Sequence, residues 1–464
     1  MIHEKKVENH LQPIMSLCIK LSSLQEKDID IMEKKLLIEL QPKKRGGGAK
    51  PKPMWKPVDT VSLVRRQNEE VMVPFHWGVS YFGKTLRKPK DQCVALYSRF
   101  GGSLRPEQKE IFTESVSLLN KSGSCLMAIY PGGGKTVTSL SIASAIGFRT
   151  MIFVNKLVLI DQWVETIHKW FGPDTSIQIV KGKSGNGTKS AAKTAKTGKS
   201  KNSLQQGCDF YIVNAINVTK HAFEDYQDLG IGLLIVDECH LMVTKMFSQA
   251  LSYICPRYLM GLSATPFRVD GFDVLLELYF GLHKVTRKLY RPHTVYCLDS
   301  KIRIDHEKDV RGDIIWNSVI EKQVMDPERN RRIADLCLQF KNRNILILSK
   351  RIKQMEIIGE MLKEKGETSV TMMKDNETTF DKDARILIAT FQKVGTGFSH
   401  DKLDMLLLAS DIEEYFLQYL GRVFRRPDVE PVIVDIVDRH PILKKHFNSR
   451  KKIYEDSGGK IEHL

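Results

Sequence analysis

Five consecutive residues of this chain have the types that bind phosphate and magnesium: Gly132, Gly133, Gly134, Lys135 and Thr136. Glycines let backbone N–H groups turn toward phosphate oxygens, a lysine reaches the β- and γ-phosphates, and a hydroxyl ligates Mg²⁺. The stretch therefore predicts a phosphate-binding loop (P-loop) for ATP, followed by a helix. Ile129 stands where the usual pattern has its first glycine, so an ordinary Gly-rich turn ahead of a helix is the alternative.

A pair of carboxylates further along the chain supports the nucleotide interpretation. The apolar run from Leu233 to Val236 predicts a buried parallel strand, and Asp237 and Glu238 follow it directly. In phosphoryl transfer one acid holds the magnesium ion and another orients or activates the attacking water. We therefore assign Asp237 to the magnesium ion and Glu238 to the water. An ordinary acidic strand end is the alternative.

The composition favours a polyanionic partner. Lys and Arg number 71 against 55 Asp and Glu in 464 residues, a formal charge of +16, which fits nucleic acid but does not separate DNA from RNA. Eight cysteines lack the paired spacing of a zinc or iron–sulfur site, which indicates a reducing cytosolic or nuclear setting. With no apolar run long enough for a bilayer and no signal-peptide core, we expect an intracellular protein that is neither secreted nor membrane-bound.

Alternating strand and helix patterns occupy most of the chain. The first predicted set of strands is Leu126 to Tyr130, Met151 to Val154, Asp209 to Val213, Leu233 to Val236 and Tyr258 to Leu262. The second set is Thr294 to Leu298, Ile345 to Ser349, Ile386 to Ala389, Met405 to Leu408 and Val432 to Ile436. This alternation predicts two parallel sheets whose ligand sites lie at the carboxyl ends of the strands.

The N-terminal region has weaker patterns. Apolar residues at helical spacing predict an amphipathic packing helix: Ile29, Met32, Leu36, Leu37 and Leu40. The run from Val71 to Trp77 predicts a strand, which Pro74 restricts to an edge or a bulge. Between them, Pro42 to Pro57 is rich in Gly, Lys and Pro, so we interpret it as a solvated linker, with a nuclear-import signal or a nucleic-acid-binding arm as the alternative.

A second low-complexity segment interrupts the first set of strands. Lys181 to Gln206 is rich in Lys, Gly, Ser and Thr and nearly free of apolar residues, which predicts disorder. It is either a tolerated surface insertion or an additional contact to a polyanion.

Four further motifs occur in a defined order: Leu104 to Gln108, Ser263 to Arg268, Ala389 to Phe398 and Gln418 to Arg426. With the P-loop and the carboxylates, they resemble the superfamily 2 helicases and translocases from Leu104 to about His440. The stretch from Asn155 to the Gln162-Trp163 pair and the Ala389 motif are similar to the XPB and UvsW type of DNA translocase. They also resemble the transcript-release helicases of large cytoplasmic DNA viruses.

The resemblance implies an α/β fold with two tandem RecA-like parallel-sheet lobes and a small N-terminal accessory region. The implied boundaries are 1–100 for the N-terminal helix, basic linker and β-containing accessory region, 101–290 for the ATP-binding lobe with its insertion at 181–206, and 291–464 for the second lobe.

The resemblance also implies roles for individual residues. Residues that face the nucleotide outside the P-loop are Arg105, Gln108, Gly395 and Gln418. Arg422 and Arg425 of the second lobe stabilise charge on the transferring phosphate. Cys239, in place of the usual alanine, is interpreted as a tolerated small residue, since ATP hydrolysis needs no covalent nucleophile.

Three residues are implied to couple hydrolysis to movement on nucleic acid: His240, Ser263 and Thr265. His240 links the carboxylates to Gln418 or to the Ser263 segment. For the two hydroxyl residues, simple capping of a strand end is the alternative.

We therefore expect an ATP-dependent DNA helicase or translocase that uses ATP and Mg²⁺, in transcription, repair or replication of a large DNA virus. The expected partners are nucleic acid, DNA rather than RNA, and the transcription or replication machinery, in the nucleus or a cytoplasmic viral factory. An RNA helicase acting on transcripts is one alternative. A non-catalytic nucleic-acid scaffold is another, against which the intact Lys135, Glu238 and Arg425 argue.

Overall fold

The structure is a computed structural model that describes residues 16–39, 60–67, 69–84, 87–180, 204–221, 223–242, 254–264, 273–373, 380–395, 400–413, 416–426 and 428–464. The predicted basic linker and most of the predicted Lys-rich insertion lie outside these residues. The chain divides into two compact units, Met1–Ile129 with Gly134–Thr286, and Tyr130–Gly133 with Arg287–Leu464. No helix within the described residues is both long and apolar enough to cross a bilayer.

Two small antiparallel sheets form at the N-terminus. β1 (Ser16–Lys20), β4 (Arg65–Gln67) and β5 (Glu70–Pro74) pair in the order β1-β5-β4, and β2 (Leu37–Glu39) pairs with β3 (Thr60–Ser62). The helices here are α1 (Glu26–Lys35) and α2 (Phe75–Phe82). Side chains of β1, β5 and α2 belong to the same hydrophobic core as those of the first large sheet. A β-containing N-terminal region is therefore present and packs on the first lobe.

The predicted amphipathic helix is present but ends at Lys35, so the prediction that it includes Leu37 is wrong. Met32 and Leu36 are buried as the spacing predicts, but the chain leaves the helix after Lys35 and Leu37 begins β2, opposite Ser62. Pairing with β3 supplies the backbone hydrogen bonds that another helical turn would have provided. Leu40 lies outside the described residues.

The prediction that Pro74 confines the strand containing Val71 to a sheet edge or a bulge is also wrong. β5 is the central strand of its sheet, with β1 on one side and β4 on the other. Pro74 is its last residue, opposite Ser16, where a missing N–H interrupts nothing further along the ladder. The next residue, Phe75, begins α2, because the fixed φ of proline suits the residue ahead of a helix.

The first lobe contains a seven-stranded sheet in the order β12-β6-β11-β10-β7-β9-β8. Its strands are β6 (Ser124–Ile129), β7 (Thr150–Val154), β8 (Ile177–Val180), β9 (Phe210–Asn214), β10 (Leu233–Val236), β11 (Tyr258–Ser263) and β12 (Lys284–Arg287). The strands from β6 to β8 in this order pair in parallel. The carboxyl ends of β6, β10 and β11 therefore meet at one edge.

The helices of the first lobe are α3 (Pro106–Ser122), α4 (Lys135–Ile146), α5 (Leu157–Phe171), α6 (Phe223–Gln227), α7 (Cys239–Met242) and α8 (Asp273–Phe280). α3 begins with a proline at its first position and ends at Gly123, whose φ of 80° is left-handed, as is typical of helix ends.

The second lobe contains a seven-stranded parallel sheet in the order β15-β16-β14-β17-β18-β13-β19. Its strands are β13 (His293–Arg303), β14 (Ile345–Ser349), β15 (Val370–Met373), β16 (Ile386–Thr390), β17 (Met405–Leu408), β18 (Val432–Arg439) and β19 (Gly459–His463). Its helices are α9 (Trp316–Met325), α10 (Pro327–Gln339), α11 (Ile352–Glu364), α12 (Phe391–Gly395), α13 (Phe416–Val423) and α14 (Pro441–Asp456).

Alternation along the central strands explains why both faces of this sheet are covered. Leu346 and Leu348 of β14 lie in one hydrophobic core, and Ile345 and Ile347 lie in another on the opposite face. A strand that is apolar at every position fits only a sheet covered on both sides. The two predicted parallel sheets are confirmed, and each strand predicted for them overlaps an observed strand, with β8, β12, β15 and β19 in addition. The predicted strand from Val71 to Trp77 is confirmed only as far as Pro74, because Phe75 to Trp77 belong to α2.

Candidate functional site

The predicted P-loop is a tight turn between β6 and α4. Gly132 and Gly134 have φ values of 86° and 85°, a conformation that glycine adopts without the steric cost of a side chain. Gly133 N donates to Tyr130 O over 3.1 Å. Lys135 and Thr136 then begin α4, so the backbone N–H groups of the helix start point out of its first turn, where anions bind.

Ile129 does not need to be glycine in this arrangement. It is the last residue of β6 and its side chain is 1% exposed, so it packs as a strand residue. Its carbonyl oxygen accepts a hydrogen bond from Lys135 Nζ over 3.0 Å. The left-handed turn is provided by Gly132 and Gly134 instead.

Gln108 and Arg105 lie against the P-loop. Arg105 N donates to Gln108 Oε1 over 2.9 Å at the start of α3, and the Gln108 side chain is buried. A Cβ atom placed on Gly134 would be 2.0 Å from Gln108 Nε2 and 3.3 Å from Arg105 Nη2. Any side chain at residue 134 would therefore displace Gln108 from the loop.

Asp237 is buried at the carboxyl end of β10 and both of its oxygens accept hydrogen bonds. Oδ2 accepts from Trp163 Nε1 and Oδ1 accepts from Glu238 N, each over 2.9 Å. Burial raises the pKa of Asp237 to about 6, and the neighbouring Glu238 carboxylate acts in the same direction. The Trp163 hydrogen bond and the Lys135 charge oppose that increase.

Glu238 follows in an unusual backbone conformation. Its φ is 46°, which is uncommon for a residue with a side chain. Its Oε2 atom is buried without a hydrogen-bond partner in the described part of the chain. Buried carboxylate oxygens are normally satisfied by protein or water, so this atom is suited to holding a water molecule.

His240 and Ser263 are brought together. His240 Nδ1 lies 2.9 Å from Ser263 Oγ at the end of β11, and 3.5 Å from Glu238 Oε2. Both His240 and Ser263 are buried. A continuous polar path therefore joins the Glu238 carboxylate to the Ser263 segment, whereas Thr265 lies outside the described residues.

Cys239 packs as a small buried residue. A Cβ atom on Gly261 of β11 would lie 3.0 Å from its Sγ atom. Burial raises the pKa of the Cys239 thiol well above its ordinary value, so the thiolate needed for nucleophilic chemistry is disfavoured.

The structure places two residues at the site, Trp163 and Lys156, for which the sequence alone predicts no role. Trp163 occurs in a family motif, but its bond to Asp237 depends on where α5 packs. Lys156 precedes α5, where burial lowers its pKa and the Glu238 carboxylate opposes that effect. The sequence feature that could have identified Trp163 is its position next to Gln162 on α5, the helix that follows β7.

In the second unit, Gln418 and Arg422 lie on α13. Gln418 is buried, and Arg422 Nη2 donates to Gly395 O over 3.1 Å. Tyr419 OH donates to Phe391 O over 3.1 Å, and a Cβ atom on Gly395 would lie at the same distance from that hydroxyl. α13 is therefore fixed against α12, whereas residues 396–399 of the same motif lie outside the described residues.

Arg425 follows α13 in a loop. Its Nη1 atom lies 3.4 Å from Asp401 Oδ1, and its side chain is 20% exposed. Arg426 forms ion pairs with Asp404 and Asp428 at 3.1 Å and 2.6 Å. The distance from Arg425 to Asp401 is therefore longer than either distance from Arg426 to its two carboxylates.

The first-lobe site fits a magnesium ion bound together with phosphates. Mg²⁺ uses one or two carboxylates, substrate phosphates and waters rather than a cage of protein ligands. Asp237 would supply a carboxylate and Thr136 a hydroxyl, and the buried Glu238 Oε2 atom accepts no hydrogen bond from the described residues. Within that part of the chain, no group of three or more His, Cys, Asp or Glu residues is arranged to hold a metal ion alone.

Comparisons with known proteins identify the family to which this chain is related. Residues 102–268 match the family described as type III restriction enzyme, res subunit. The chain is 34% identical over 425 residues to "Putative helicase 161L" of Invertebrate iridescent virus 6, covering 87% of this chain and 92% of that protein. It is 22% identical over 387 residues to "DNA 3'-5' translocase XPB2" of Sulfurisphaera tokodaii, covering 72% and 82%.

A solved structure, S. cerevisiae Dbp5 bound to RNA and ADP BeF3, shares the fold with a TM-score of 0.51 at 13% identity, covering 78% of this chain and 94% of that chain. The chain belongs to the superfamily 2 helicases of large DNA viruses, a family of helicase-type ATPases.

Proposed function

We propose that this protein is an ATP-dependent DNA helicase or translocase. The observation that carries the proposal is that the P-loop, Gln108 and the Asp237-Glu238 pair lie at one edge of one sheet, with His240 bonded to Ser263 beside them. DNA as substrate is supported by motifs resembling those of DNA translocases and by the similarity to a protein named as a DNA translocase. The formal charge of +16 favours either nucleic acid.

Nucleotide binding is assigned to the first lobe. Gly132 to Gly134 direct backbone N–H groups to the phosphates, and Lys135 Nζ exchanges the Ile129 carbonyl for the β- and γ-phosphate oxygens. Gln108 and Arg105, held against Gly134, bind the adenine ring. The same contact transmits the presence of the base to the phosphate loop.

Hydrolysis is assigned to Glu238 and the arginines. Thr136 and Asp237 would hold a magnesium ion, which would neutralise phosphate charge when bound. Glu238 orients the water that attacks the γ-phosphorus, and ADP departs as the leaving group. Arg422 and Arg425 stabilise the charge that spreads over the transferring phosphoryl oxygens in the transition state, with Gly395 and Gln418 supporting them.

Coupling to nucleic acid is assigned to the path from Glu238 through His240 to Ser263. A change at Glu238 on hydrolysis alters the partner of His240, and Ser263 passes the change to the segment that contains Thr265. Contacts directed at the nucleic-acid backbone let such a motor act on any sequence.

The test replaces the groups that touch the phosphate and the water. Lys135→Ala and Glu238→Gln are expected to abolish ATP turnover while DNA binding persists. Lys121→Ala and Glu165→Gln, which alter exposed residues of α3 and α5, are matched controls that keep wild-type turnover. Turnover within about twofold of wild type in either site variant contradicts the assignment, since removal of one such group costs about a hundredfold or more.

The substrate is tested in parallel. Turnover and strand displacement are measured with duplex DNA, single-stranded DNA and RNA. Stimulation by DNA supports the proposal, and stimulation by RNA alone identifies an RNA helicase instead. Turnover without strand displacement identifies a translocase.

A further inference from the structure

Arg291, in the connection between β12 and β13, binds three main-chain carbonyl groups of the loop that follows α13. Its Nη1 atom donates to Phe424 O over 2.6 Å, and its Nη2 atom donates to Val429 O over 2.6 Å and to Arg426 O. The loop contains Arg425. None of the sequence motifs includes Arg291.

The backbone of Arg291 is itself fixed. Its N–H donates to Ser457 O over 2.8 Å, and its carbonyl oxygen lies 2.7 Å from Nδ1 of the buried His293. A Cβ atom on Gly458 would lie 2.9 Å from the same carbonyl oxygen. Arg291 therefore joins the turn ahead of β19 to the loop after α13.

The guanidinium group is needed for this geometry. It is planar and offers five N–H donors in a fixed fork, whereas a lysine offers a point charge on a flexible stem. The loop residues 424–426 and 428–430 form neither helix nor strand, so they lack the repeated backbone hydrogen bonds that would hold them. The His293 ring adds a contact to Phe424, with ring centroids 4.7 Å apart.

We propose that Arg291 is a positioning residue that holds the loop from Phe424 to Val429, and so sets the direction of the Arg425 side chain. The inference rests on the proposed role of Arg425 in hydrolysis. A fixed loop places the arginine before the reaction begins, so no reorganisation is required in the transition state. In this role Arg291 acts through the loop and not through the nucleotide.

The first test compares Arg291→Lys with wild type. We expect kcat to fall about tenfold to a hundredfold, because small misplacements of a catalytic group have effects of that size. KM for ATP should stay within about twofold, since Arg425 acts in the transition state. Arg291→Ala, supplied with guanidinium ion below the concentration that unfolds the wild type, should recover part of the wild-type kcat.

A matched control is available in the same lobe. Arg385 also donates to main-chain carbonyl groups, those of Cys337 and Phe340, at 3.3 Å and 3.2 Å. Arg385→Lys likewise removes guanidinium contacts to main-chain carbonyl groups, together with part of the ion pair to Glu367, and these partners lie outside the segment from Phe424 to Val429. A fall in kcat in this variant equal to that of Arg291→Lys would overturn the proposal.

A double variant separates positioning from general stability. If Arg291 acts through Arg425, adding Arg291→Lys to Arg425→Ala should lower kcat no further. An additive fall in kcat overturns the proposal.

Hydrogen exchange tests the positioning of the loop without relying on hydrolysis. The amides of Arg425, Arg426 and Asp428 should exchange faster in Arg291→Lys than in wild type or Arg385→Lys, and unchanged exchange overturns the proposal. Should Arg425→Ala hydrolyse ATP normally, the proposed role of Arg425 fails, while the exchange result still reports on Arg291.

Discussion

The indole Nε1 of Trp163 donates a hydrogen bond to Oδ2 of Asp237 over 2.9 Å, with both side chains buried. A helix that follows β7 thereby orients the carboxylate that follows β10. Because β7 and β10 are neighbours in the sheet, the position of α5 helps to fix the orientation in which the Asp237 carboxylate would meet a metal ion. We therefore expect Trp163 to act as a partner of the metal ligand.

Trp163→Phe should weaken Mg²⁺-dependent ATP binding about tenfold to a hundredfold, the usual effect of removing the partner of a metal ligand. The ring still fills the core, so the fold should persist. The measurement is nucleotide affinity at a series of Mg²⁺ concentrations. Trp170→Phe on the same helix, where Trp170 stacks on Phe100, is the control. An unchanged Mg²⁺ requirement in Trp163→Phe would show that the hydrogen bond does not orient the ligand.

Arg425→Ala should retain ATP affinity and reduce DNA-stimulated hydrolysis by about a thousandfold or more, because an arginine finger acts mainly in the transition state. Nucleotide binding and single-turnover hydrolysis are measured separately. Arg331→Ala, which removes an exposed arginine paired with Glu328, is the control. If affinity falls while turnover per bound ATP is unchanged, Arg425 is a ground-state ligand.

The segment Lys181 to Gln206 offers a charge test. It contains lysines and no acidic residue, and residues 181–203 lie outside the described residues. β8 and β9 on either side of it are parallel neighbours, so a replacement must still span a crossover. A Gly-Ser linker in place of 181–203 should weaken DNA binding for all sequences alike and leave turnover at saturating DNA unchanged.

The salt dependence of DNA binding shows whether lost contacts to phosphates cause the weaker binding. The log–log slope should become shallower by about 0.9 for each phosphate of duplex DNA that the replaced segment no longer neutralises. A second variant that keeps the length but changes the lysines to glutamine separates charge from length. A slope identical to wild type in both variants identifies the segment as a tolerated insertion.

Arg450 should dominate the stability of the second lobe. It is buried and donates to Asp435 over 2.8 Å and 2.9 Å and to Asp411 over 2.8 Å. Arg450→Met leaves two buried carboxylates without their cation, so we expect the free energy of unfolding to fall by about 3–5 kcal/mol. Lys451→Met at the next, exposed position of α14 should have little effect.

The destabilisation by Arg450→Met should depend on pH. Burial acts to raise the pKa of Asp411, but the His446 hydrogen bond and the Arg450 charge outweigh it, so that pKa lies below its ordinary value. Such a group stabilises the fold above the unfolded-state pKa of about 3.9, and the contribution disappears as pH falls through the folded-state pKa. The difference in the free energy of unfolding between Arg450→Met and wild type should therefore become smaller below about pH 4. Calorimetric unfolding at several pH values measures it, and a pH-independent difference contradicts the account.

Local sequence was sufficient for the parts of the site that lie within one turn or one strand end. The P-loop follows from consecutive glycines with Lys135, and the carboxylates follow from the apolar run that precedes Asp237. Apolar runs likewise predicted five of the seven strands in each sheet, because burial on both faces produces continuous apolar runs.

Only the tertiary structure decided which distant residues meet. Trp163 reaches Asp237 because β7 and β10 are adjacent. Arg291 reaches Phe424 because the loop after α13 lies beside the connection between β12 and β13. The sequence determined the elements and the chemical groups they carry, since these depend on residues near in the chain. Sheet order and packing decided which side chains form hydrogen bonds with one another, since hydrogen bonds between distant residues leave no local period in the sequence.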